Sequence, residues 1–389
     1  MTVKMINAWT LELDEPEVAV SEILDQLNLE ENTLENAAGF ITCSYDYIET
    51  GIAEAVCDAV PFDVVGGTTL TNANNDEAGT MLFCLSMLTA DDCQFASGVT
   101  EPFEENLDEI IGAAVQGTAS TMDQGIKMAL AFLPMYTMHG IGGEVMLGAL
   151  DKALDGTPIF GTVACDSDTA CYSNTFTIYN GEFFKDRMPF LLISGNVEPH
   201  FIVTSTSEQN IRKQQAIITS SEGCLLKQVN NMTARDYFNS IGLSSGKGLE
   251  AMSSVPFVVD YNDGTQPVAR AIYGINEDGS AVCGGVMPEG STLYIGRMDV
   301  DDILLTAETS LKGVIKSSTP NGIILLPCLG RNMVLVMDPM AEIEVVRRII
   351  GDTVPWHLAY SGGECCPVYT KDGGTVNRYH NFTFIGCAI

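Results

Sequence analysis

Side chains that could do chemistry are concentrated near the end of this 389-residue chain. Residues 328–331 (Cys-Leu-Gly-Arg) follow an apolar run, so that a thiol stands beside a permanently charged guanidinium, as in reactive or anion-binding corners. Residues 361–367 place Glu364 between two glycines and a proline. Residues 378–383 carry five hydrogen-bonding side chains in six positions. We therefore expect a polar site between residues 328 and 383.

The residue types in this stretch leave several functions open. In a ligand-binding site, Glu364 would hold an ammonium group and Arg331 a carboxylate. His380 and Asn381 would then complete the hydrogen bonding of a zwitterion. In an enzyme for acyl transfer or hydrolysis, Cys328 would be the nucleophile, His380 the base and Glu364 its orienter. Haem could bind through His380 or another histidine, and a buried polar network that satisfies itself is the structural alternative.

Polar residues also follow predicted strands in the N-terminal half. Residues 66–69 (Gly-Gly-Thr-Thr) end an apolar run, and ligands of parallel sheets gather outside the carboxyl ends of strands. Residues 161–168 end another strand and include Cys165, two aspartates and a serine, which could line a ligand or solvate a loop. The glycine-rich residues 140–143 lack the Lys-Ser/Thr of a P-loop, and we interpret them as a flexible turn at the start of a helix.

Alternating helices and strands must position the N-terminal candidates. Residues 39–44 predict a strand, residues 47–59 a helix and residues 63–69 a second strand, which is a βαβ unit with parallel pairing. Helical periodicity predicts further helices, and short apolar runs predict further strands. The predicted helices are 16–26, 107–122 and 143–154, and the predicted strands are 79–87, 127–134 and 157–163.

The pattern becomes richer in strands after residue 181, and helices return near residue 300. Predicted strands are 188–195, 201–205, 215–221, 322–328, 357–361 and 381–388, and predicted helices are 300–314 and 340–350. We expect a mixed α/β (α+β) fold of two domains. An N-terminal βαβ-type sheet domain (1–200) precedes a mixed sheet domain with flanking helices (201–389). No internal repeat of fixed period is visible in the sequence.

Composition narrows the class of protein and its partners. The formal net charge is −32, which disfavours nucleic acid and anionic membrane lipid as partners. No signal peptide or membrane-spanning run is recognisable, and the 12 cysteines include no CxxC pair, so we expect free thiols in the cytoplasm and no zinc site.

The same segments resemble a known family. The chain is similar to FIST-type sensory proteins, with the N-terminal and C-terminal FIST domains in order, from about residue 35 to the end. The segments that carry this likeness are residues 39–44, 64–69, 143–145, 158–161, 231–238, 328–331, 363–364 and 380–383.

The resemblance implies a signal-input protein that binds a small molecule, with amino acids as the usual proposal. This chain carries no recognisable output domain, so a separate signalling partner would receive the signal. We expect no catalysis and no cofactor. One alternative is a haem-linked gas sensor, because some relatives resemble haem-linked nitric oxide sensors. The other alternative is a Cys-dependent hydrolase or acyl transferase. The expected ligand-binding residues are Gly67, Thr68, Thr69, Asp166, Cys328, Arg331, Gly363, Glu364, His380, Asn381 and Thr383.

Overall fold

The computed structural model describes residues 3–104, 106–135, 142–166, 173–243 and 255–389, which form a mixed α/β fold as predicted. We divide them into three consecutive units. The first unit contains β1 (Lys4–Thr10), α1 (Pro16–Leu27), α2 (Leu29–Asn32), β2 (Asn36–Cys43), α3 (Asp46–Glu49), α4 (Ile52–Ala59), β3 (Val64–Thr68), β4 (Asn72–Asn74), β5 (Ala78–Gly79) and β6 (Phe83–Ala90). The second unit contains β7 (Cys93–Val99), α5 (Leu107–Ala119), β8 (Ile126–Leu133), α6 (Gly143–Ala153), β9 (Ile159–Val163), β10 (Thr177–Tyr179), β11 (Glu182–Phe184) and β12 (Pro189–Gly195).

The third unit begins with β13 (His200–Thr204) and is interrupted by an inserted sheet. The insertion contains β14 (Ala216–Glu222), β15 (Leu225–Val229), β16 (Met232–Thr233), α7 (Ala234–Ser240), β17 (Phe257–Asp260), β18 (Val268–Arg270), β19 (Ile272–Ile275), β20 (Ala281–Cys283) and β21 (Thr292–Ile295). The unit continues with α8 (Val300–Ser317), β22 (Ile323–Leu325), α9 (Leu329–Val334), α10 (Ala341–Ile350), β23 (Trp356–Ala359), β24 (Glu364–Tyr369), β25 (Thr375–His380) and β26 (Phe384–Ala388).

The main helices form where the sequence combines a start signal with an apolar face. Helix α1 begins at Pro16, whose fixed φ suits the first helical position, and buries Ala19, Ile23 and Leu27 at helical spacing. Helix α8 is capped by Asp299, whose side chain accepts a hydrogen bond from the Asp302 backbone N–H. The positions of α1, α5, α6, α8 and α10 confirm the predicted helices.

Three six-stranded sheets share one topology. Their strand orders are β1-β6-β2-β3-β10-β11, β7-β12-β8-β9-β24-β25 and β13-β26-β22-β23-β4-β5. In each sheet the two central strands (β2 and β3, β8 and β9, β22 and β23) pair in parallel, as predicted for the first of them, and the strands on either side are antiparallel. The three units are therefore structural repeats.

The units are interlocked because each one contributes a hairpin to another unit's sheet. Hairpin β4–β5 of the first unit joins the third sheet, β10–β11 of the second joins the first, and β24–β25 of the third joins the second. A shared core lies between the sheets and includes Phe40, Phe160 and Ile385, one from each unit. This cyclic exchange brings the carboxyl ends of β3, β9 and β23 together.

The predicted division between residues 200 and 201 falls one residue inside β13, next to the border between the second and third units. Strands from both sides of this border share the second and third sheets. That each half forms a domain of its own stays a prediction.

Three local predictions were wrong. The strand predicted over residues 79–87 begins at Phe83, because Gly79 belongs to β5, which pairs with β4. The helix predicted over residues 47–59 is divided into α3 and α4 at Gly51, which has a φ of 78° that a continuing helix does not allow. The last strand, predicted from residue 381, begins at Phe384, and residues 364–380 form the hairpin β24–β25. Pro367 makes β24 hard to recognise, because proline is rare within sheets. It is accommodated because β24 pairs with β9 only at Glu364 and Cys365.

No helix within the described ranges is long and apolar enough to cross a membrane.

Candidate functional site

Most of the predicted ligand-binding residues meet where the three units join. We call this region the central junction and define it as residues 67–69, 163–166, 328 and 360–364. Its segments are tied by backbone hydrogen bonds: Cys165 N–H donates to the Thr68 carbonyl (2.9 Å), and Gly362 N–H donates to the Val163 carbonyl (2.9 Å). The junction therefore lies beyond the carboxyl ends of β3, β9 and β23, the usual place for ligands of parallel sheets.

The third unit supplies the rest of the junction. Leu70 N–H donates to the Tyr360 carbonyl (3.0 Å), and Cys328 N–H donates to the Thr383 carbonyl (3.0 Å). A Cβ at Gly363 would overlap the hydroxyl of Tyr379, so only glycine fits at this position. Ser167 and Asp168, which the sequence grouped with Asp166, lie outside the described residues, as do Gly140 and Ile141.

Three buried oxygens of the central junction have no hydrogen-bond partner. They are Asp166 Oδ1, Ser361 Oγ and Glu364 Oε1, considered among the residues that the structure describes. Asp166 is 5% exposed, and Ser361 and Glu364 are fully buried. The other carboxylate oxygens are occupied, because Asp166 Oδ2 accepts from Asn174 N–H (2.7 Å) and Glu364 Oε2 accepts from Thr383 N–H (3.3 Å). Buried polar atoms are normally paired, so these three point to a missing hydrogen-bonding partner.

Burial sets the protonation of the groups around these oxygens. Desolvation raises the pKa of the Glu364 carboxyl well above its usual value. Burial and the nearby Glu364 charge raise the pKa of the Cys328 thiol, and burial with the charges of Asp166 and Glu364 raises that of Cys165. The thiols of the junction are therefore protonated and poor nucleophiles at neutral pH.

Arg331 lies on α9, fully buried, and is occupied by protein groups. Its Nη2 and Nε donate to Glu342 Oε1 (2.6 and 3.0 Å), and its Nη1 donates to the Ser205 carbonyl (3.0 Å). The Tyr360 hydroxyl donates to the other oxygen of Glu342 (2.8 Å). The sequence suggested that Arg331 binds a ligand carboxylate. We do not propose this role, because Glu342 already neutralises the Arg331 guanidinium.

His380, Asn381 and Thr383 form the turn between β25 and β26, beside the junction. His380 Nε2 donates to the Cys366 carbonyl (2.9 Å), and burial lowers the pKa of His380 to about 3. Asn381 Oδ1 accepts from Ala271 N–H (3.1 Å), which connects the turn to the inserted sheet. The Thr383 hydroxyl donates to the Asn381 carbonyl (2.8 Å).

A cleft of about 600 Å³ opens on the other side of this turn. It lies between α8, the segment that follows β13, and strands β17 and β18 of the inserted sheet. It is lined by Val203, Thr204, Ser205, Thr206, Ser207, Glu208, Ile211, Val258, Gln266, Pro267, Ala269, Leu305, Thr306, Thr309, Ser310, His380 and Thr383. Of the predicted ligand-binding residues, His380 and Thr383 therefore face the cleft.

Several buried polar residues escaped the sequence analysis. Ser361 was visible only as part of a polar stretch after a strand. Arg270 is fully buried and pairs with Glu144 on α6 (3.1 Å), which connects the inserted sheet to the second unit. His357 Nε2 and Nδ1 contact the hydroxyls of Thr42 (2.7 Å) and Ser86 (2.8 Å). In the sequence, these residues could be recognised only as charged or polar side chains within apolar segments.

The described residues contain no group of three or more His, Cys, Asp or Glu side chains that could hold a metal ion.

Comparison with known proteins identifies the family. The FIST N domain model matches residues 37–232, and the FIST C domain model matches residues 234–367. A search of curated proteins gave no match. Among solved structures, the chain is similar to cyanuric acid hydrolase from A. caulinodans, with 9% sequence identity. The match covers 100% of this chain and 99% of the hydrolase chain, with a TM-score of 0.35. This TM-score is too low to support an argument about function. FIST domains are generally small-ligand sensory domains, and this chain, matched over most of its length by the N and C domains in order, belongs to the FIST family.

Proposed function

We propose that this protein is a non-catalytic sensor that binds an amino-acid-like ligand at the central junction. The observation that carries the proposal is the set of three buried oxygens without partners, Asp166 Oδ1, Ser361 Oγ and Glu364 Oε1. A primary ammonium group has three N–H donors, so it can pair with these oxygens once Glu364 has released its proton. The net charge of −32 also favours a ligand that presents a positive group.

Binding of an ammonium group is coupled to the proton on Glu364. Burial keeps this carboxyl protonated in the free protein, whereas a bound cation favours its ionised form. The ligand therefore releases a proton when it binds, and its affinity rises with pH above the usual pKa of a glutamate. Calorimetry in buffers of different ionisation enthalpy measures this release, and an affinity that falls between pH 6 and pH 8 would contradict the assignment.

Thermal unfolding with a panel of amino acids tests the proposal. Each amino acid is compared with the carboxylic acid that lacks its amino group. A ligand at about 100 times its Kd adds about 2.7 kcal/mol to the free energy of unfolding, so the cognate amino acid raises Tm and its deaminated partner does not. An equal increase in Tm with both members of a pair would contradict the proposal.

A matched pair of variants locates the site. Asp166→Asn removes a buried carboxylate and is expected to weaken amino-acid binding at least about tenfold, the effect of losing a charge-assisted hydrogen bond. Asp155→Asn makes the same chemical change at an exposed position with a φ of 50°, which asparagine tolerates. Binding is expected to survive in this control, and equal binding by both variants would exclude the junction.

The alternatives have less support from the geometry. Burial raises the pKa of the Cys328 thiol, and no hydrogen bond joins Cys328 to His380 within the described ranges, so the nucleophile and base of a hydrolase are not paired. A haem ligand requires an accessible, free imidazole nitrogen: both nitrogens of His357 are engaged, and His380, which keeps Nδ1 free, is only 1% exposed. Turnover that is lost in Cys328→Ala would establish the enzyme, and a Soret band in the purified protein would establish haem binding.

The proposal also includes a separate partner protein for output and a cytoplasmic location. The eleven cysteines of the described ranges are free thiols, which suits a reducing compartment. Nucleic acid and membrane lipid are not proposed as partners, because the strongly negative charge disfavours both.

A further inference from the structure

We infer that the cleft between α8 and the inserted sheet is a second binding site, for a small primary amine with a compact apolar body. The cleft volume of about 600 Å³ lies within the usual range of roughly 300–1,000 Å³ for small-ligand pockets. It is separate from the three unpartnered oxygens of the central junction, none of which belongs to its lining.

The residues that line the cleft provide no positive charge for an anionic ligand. Among the residues that line it, none is a lysine or arginine, and the one acid, Glu208, is exposed at the rim. The adjacent cation, Arg331, donates to the Ser205 carbonyl and the Thr306 hydroxyl from behind the wall, and its charge is neutralised by Glu342. Two further cations, Arg212 and Lys213, line an adjoining pocket and not the cleft itself, so the lining of the cleft gives a phosphate or carboxylate no counter-charge.

Four hydroxyls of the polar wall offer acceptors, because their own hydrogens are already used. Thr206 and Ser207 direct their hydroxyl hydrogens towards the buried Asp302 carboxylate, and Thr306 donates to the Asp302 carbonyl. Thr383 donates its hydroxyl hydrogen to the Asn381 carbonyl. These oxygens keep lone pairs for a ligand while their hydrogens are already used.

His380 extends this pattern at the end of the cleft. Its Nε2 proton is donated to the Cys366 carbonyl, and the low pKa keeps the ring neutral, so Nδ1 carries a lone pair. A ligand that supplies hydrogen-bond donors therefore suits these atoms. An ammonium group does so, and the net charge of −32 attracts it.

The opposite wall is apolar and determines the body of the ligand. Val258 and Ala269 come from the inserted sheet, Ile211 and Pro267 from adjacent loops, and Leu305 from α8. Burial of methylene groups against these side chains favours binding, so a short branched hydrocarbon chain is the expected body.

Three probes with one carbon skeleton test the ligand class on the intact protein: isopentylamine, isopentanol and isovalerate. Isothermal titration is expected to give the tightest binding for the amine, a Kd roughly tenfold weaker for the alcohol, and no binding for the carboxylate. Isovalerate that binds as tightly as the amine, or an amine Kd weaker than about 10 mM, would overturn the assignment.

Variants of α8 test the location. Thr309→Phe places a ring in the cleft from an exposed helix position and is expected to weaken amine binding more than about tenfold, with little effect on folding. Lys316→Phe, at an exposed position of the same helix outside the cleft, is the matched control and is expected to bind normally. Unchanged binding in Thr309→Phe would exclude the cleft. Because Asp166→Asn leaves the cleft intact, amine binding by this variant separates the cleft from the central junction.

Discussion

At the scale of single residues, the candidate site is unusual because it contains an acid that its surroundings do not satisfy. Glu364 is fully buried, shares no ion pair with an arginine or lysine within the described ranges, and leaves Oε1 without a donor. Glu342, an equally buried acid nearby, is paired with Arg331 (2.6 Å) and Tyr360. Replacing each glutamate by glutamine is therefore expected to change the free energy of unfolding in opposite directions.

Glu364→Gln is expected to stabilise the free protein at alkaline pH. A folded-state pKa above the unfolded value means that the contribution of Glu364 to stability is complete below about pH 4.5 and is lost as pH rises through the raised pKa. Glutamine does not titrate, so the variant should gain stability over the wild type at pH 8, by up to about 1.4 kcal/mol for each pH unit between the unfolded and folded pKa, and little at pH 4.5. Urea unfolding at both pH values measures this difference, and a destabilised variant at pH 8 would show that the carboxylate is needed.

Glu342→Gln is the matched control at the paired acid. Removing one charge of a buried ion pair leaves the Arg331 guanidinium uncompensated, and we expect a loss of about 3–5 kcal/mol. The same urea experiment measures it. A loss below about 1 kcal/mol would mean that water reaches this pair.

His357 gives a prediction for acid pH. Burial lowers its folded-state pKa from 6.5 to about 3, so below pH 6.5 the unfolded chain binds a proton that the folded protein does not. The stability that is present above pH 6.5 is therefore lost as pH falls towards 3, by up to about 1.4 kcal/mol per pH unit. His357→Gln should reduce this slope, whereas His200→Gln, at an exposed position, should leave it unchanged. Equal slopes in the two variants would contradict the buried neutral state.

At the scale of elements, hairpin β24–β25 connects the third unit to the second. It pairs with β9 only at Glu364 and Cys365, and the glycines before it allow the chain to pass close to Tyr379. The geometry of the central junction therefore depends on this short contact as well as on the strands.

Gly363→Ala tests the close approach at the start of β24. The added methyl group overlaps the Tyr379 hydroxyl, and we expect a loss of about 1–3 kcal/mol, as for other overpacked positions. Tyr379→Phe should recover part of this loss in the double variant. Gly148→Ala on α6, where a Cβ meets no atom within 4 Å, should instead stabilise by up to about 1 kcal/mol. Thermal unfolding of the four proteins measures these effects, and a neutral Gly363→Ala would contradict the packing.

At the scale of the whole molecule, the exchange of hairpins makes the three units interdependent. The shared core contains residues from all three, and the second sheet is incomplete without β24–β25. We therefore expect one cooperative unfolding transition for the full chain. A fragment of residues 1–200 should keep secondary structure but lack a sharp calorimetric transition, because it exposes the apolar face of the shared core. A cooperative transition in the fragment would establish residues 1–200 as an independent domain.

Local patterns in the sequence were sufficient for the fold class, the first βαβ unit, the positions of the main helices and the family. Each of these depends on periodicity or on short motifs, which are properties of neighbouring residues. The polar side chains of residues 361–364 and of Asp166 were also recognisable, because acids and serines at the ends of apolar strands stand out.

Only the tertiary structure decided which of these residues share a site. The threefold arrangement was invisible in the sequence, because the units differ in length and the third is interrupted by a sheet. The hairpin exchange then places the segment of Asp166 next to that of Glu364, about two hundred residues later in the chain. The tertiary structure also decided that Arg331 neutralises Glu342 and that Glu364 has no ion-pair partner in the described ranges. Pairing of buried charges depends on distances between elements, and these distances are not recorded in any local sequence pattern.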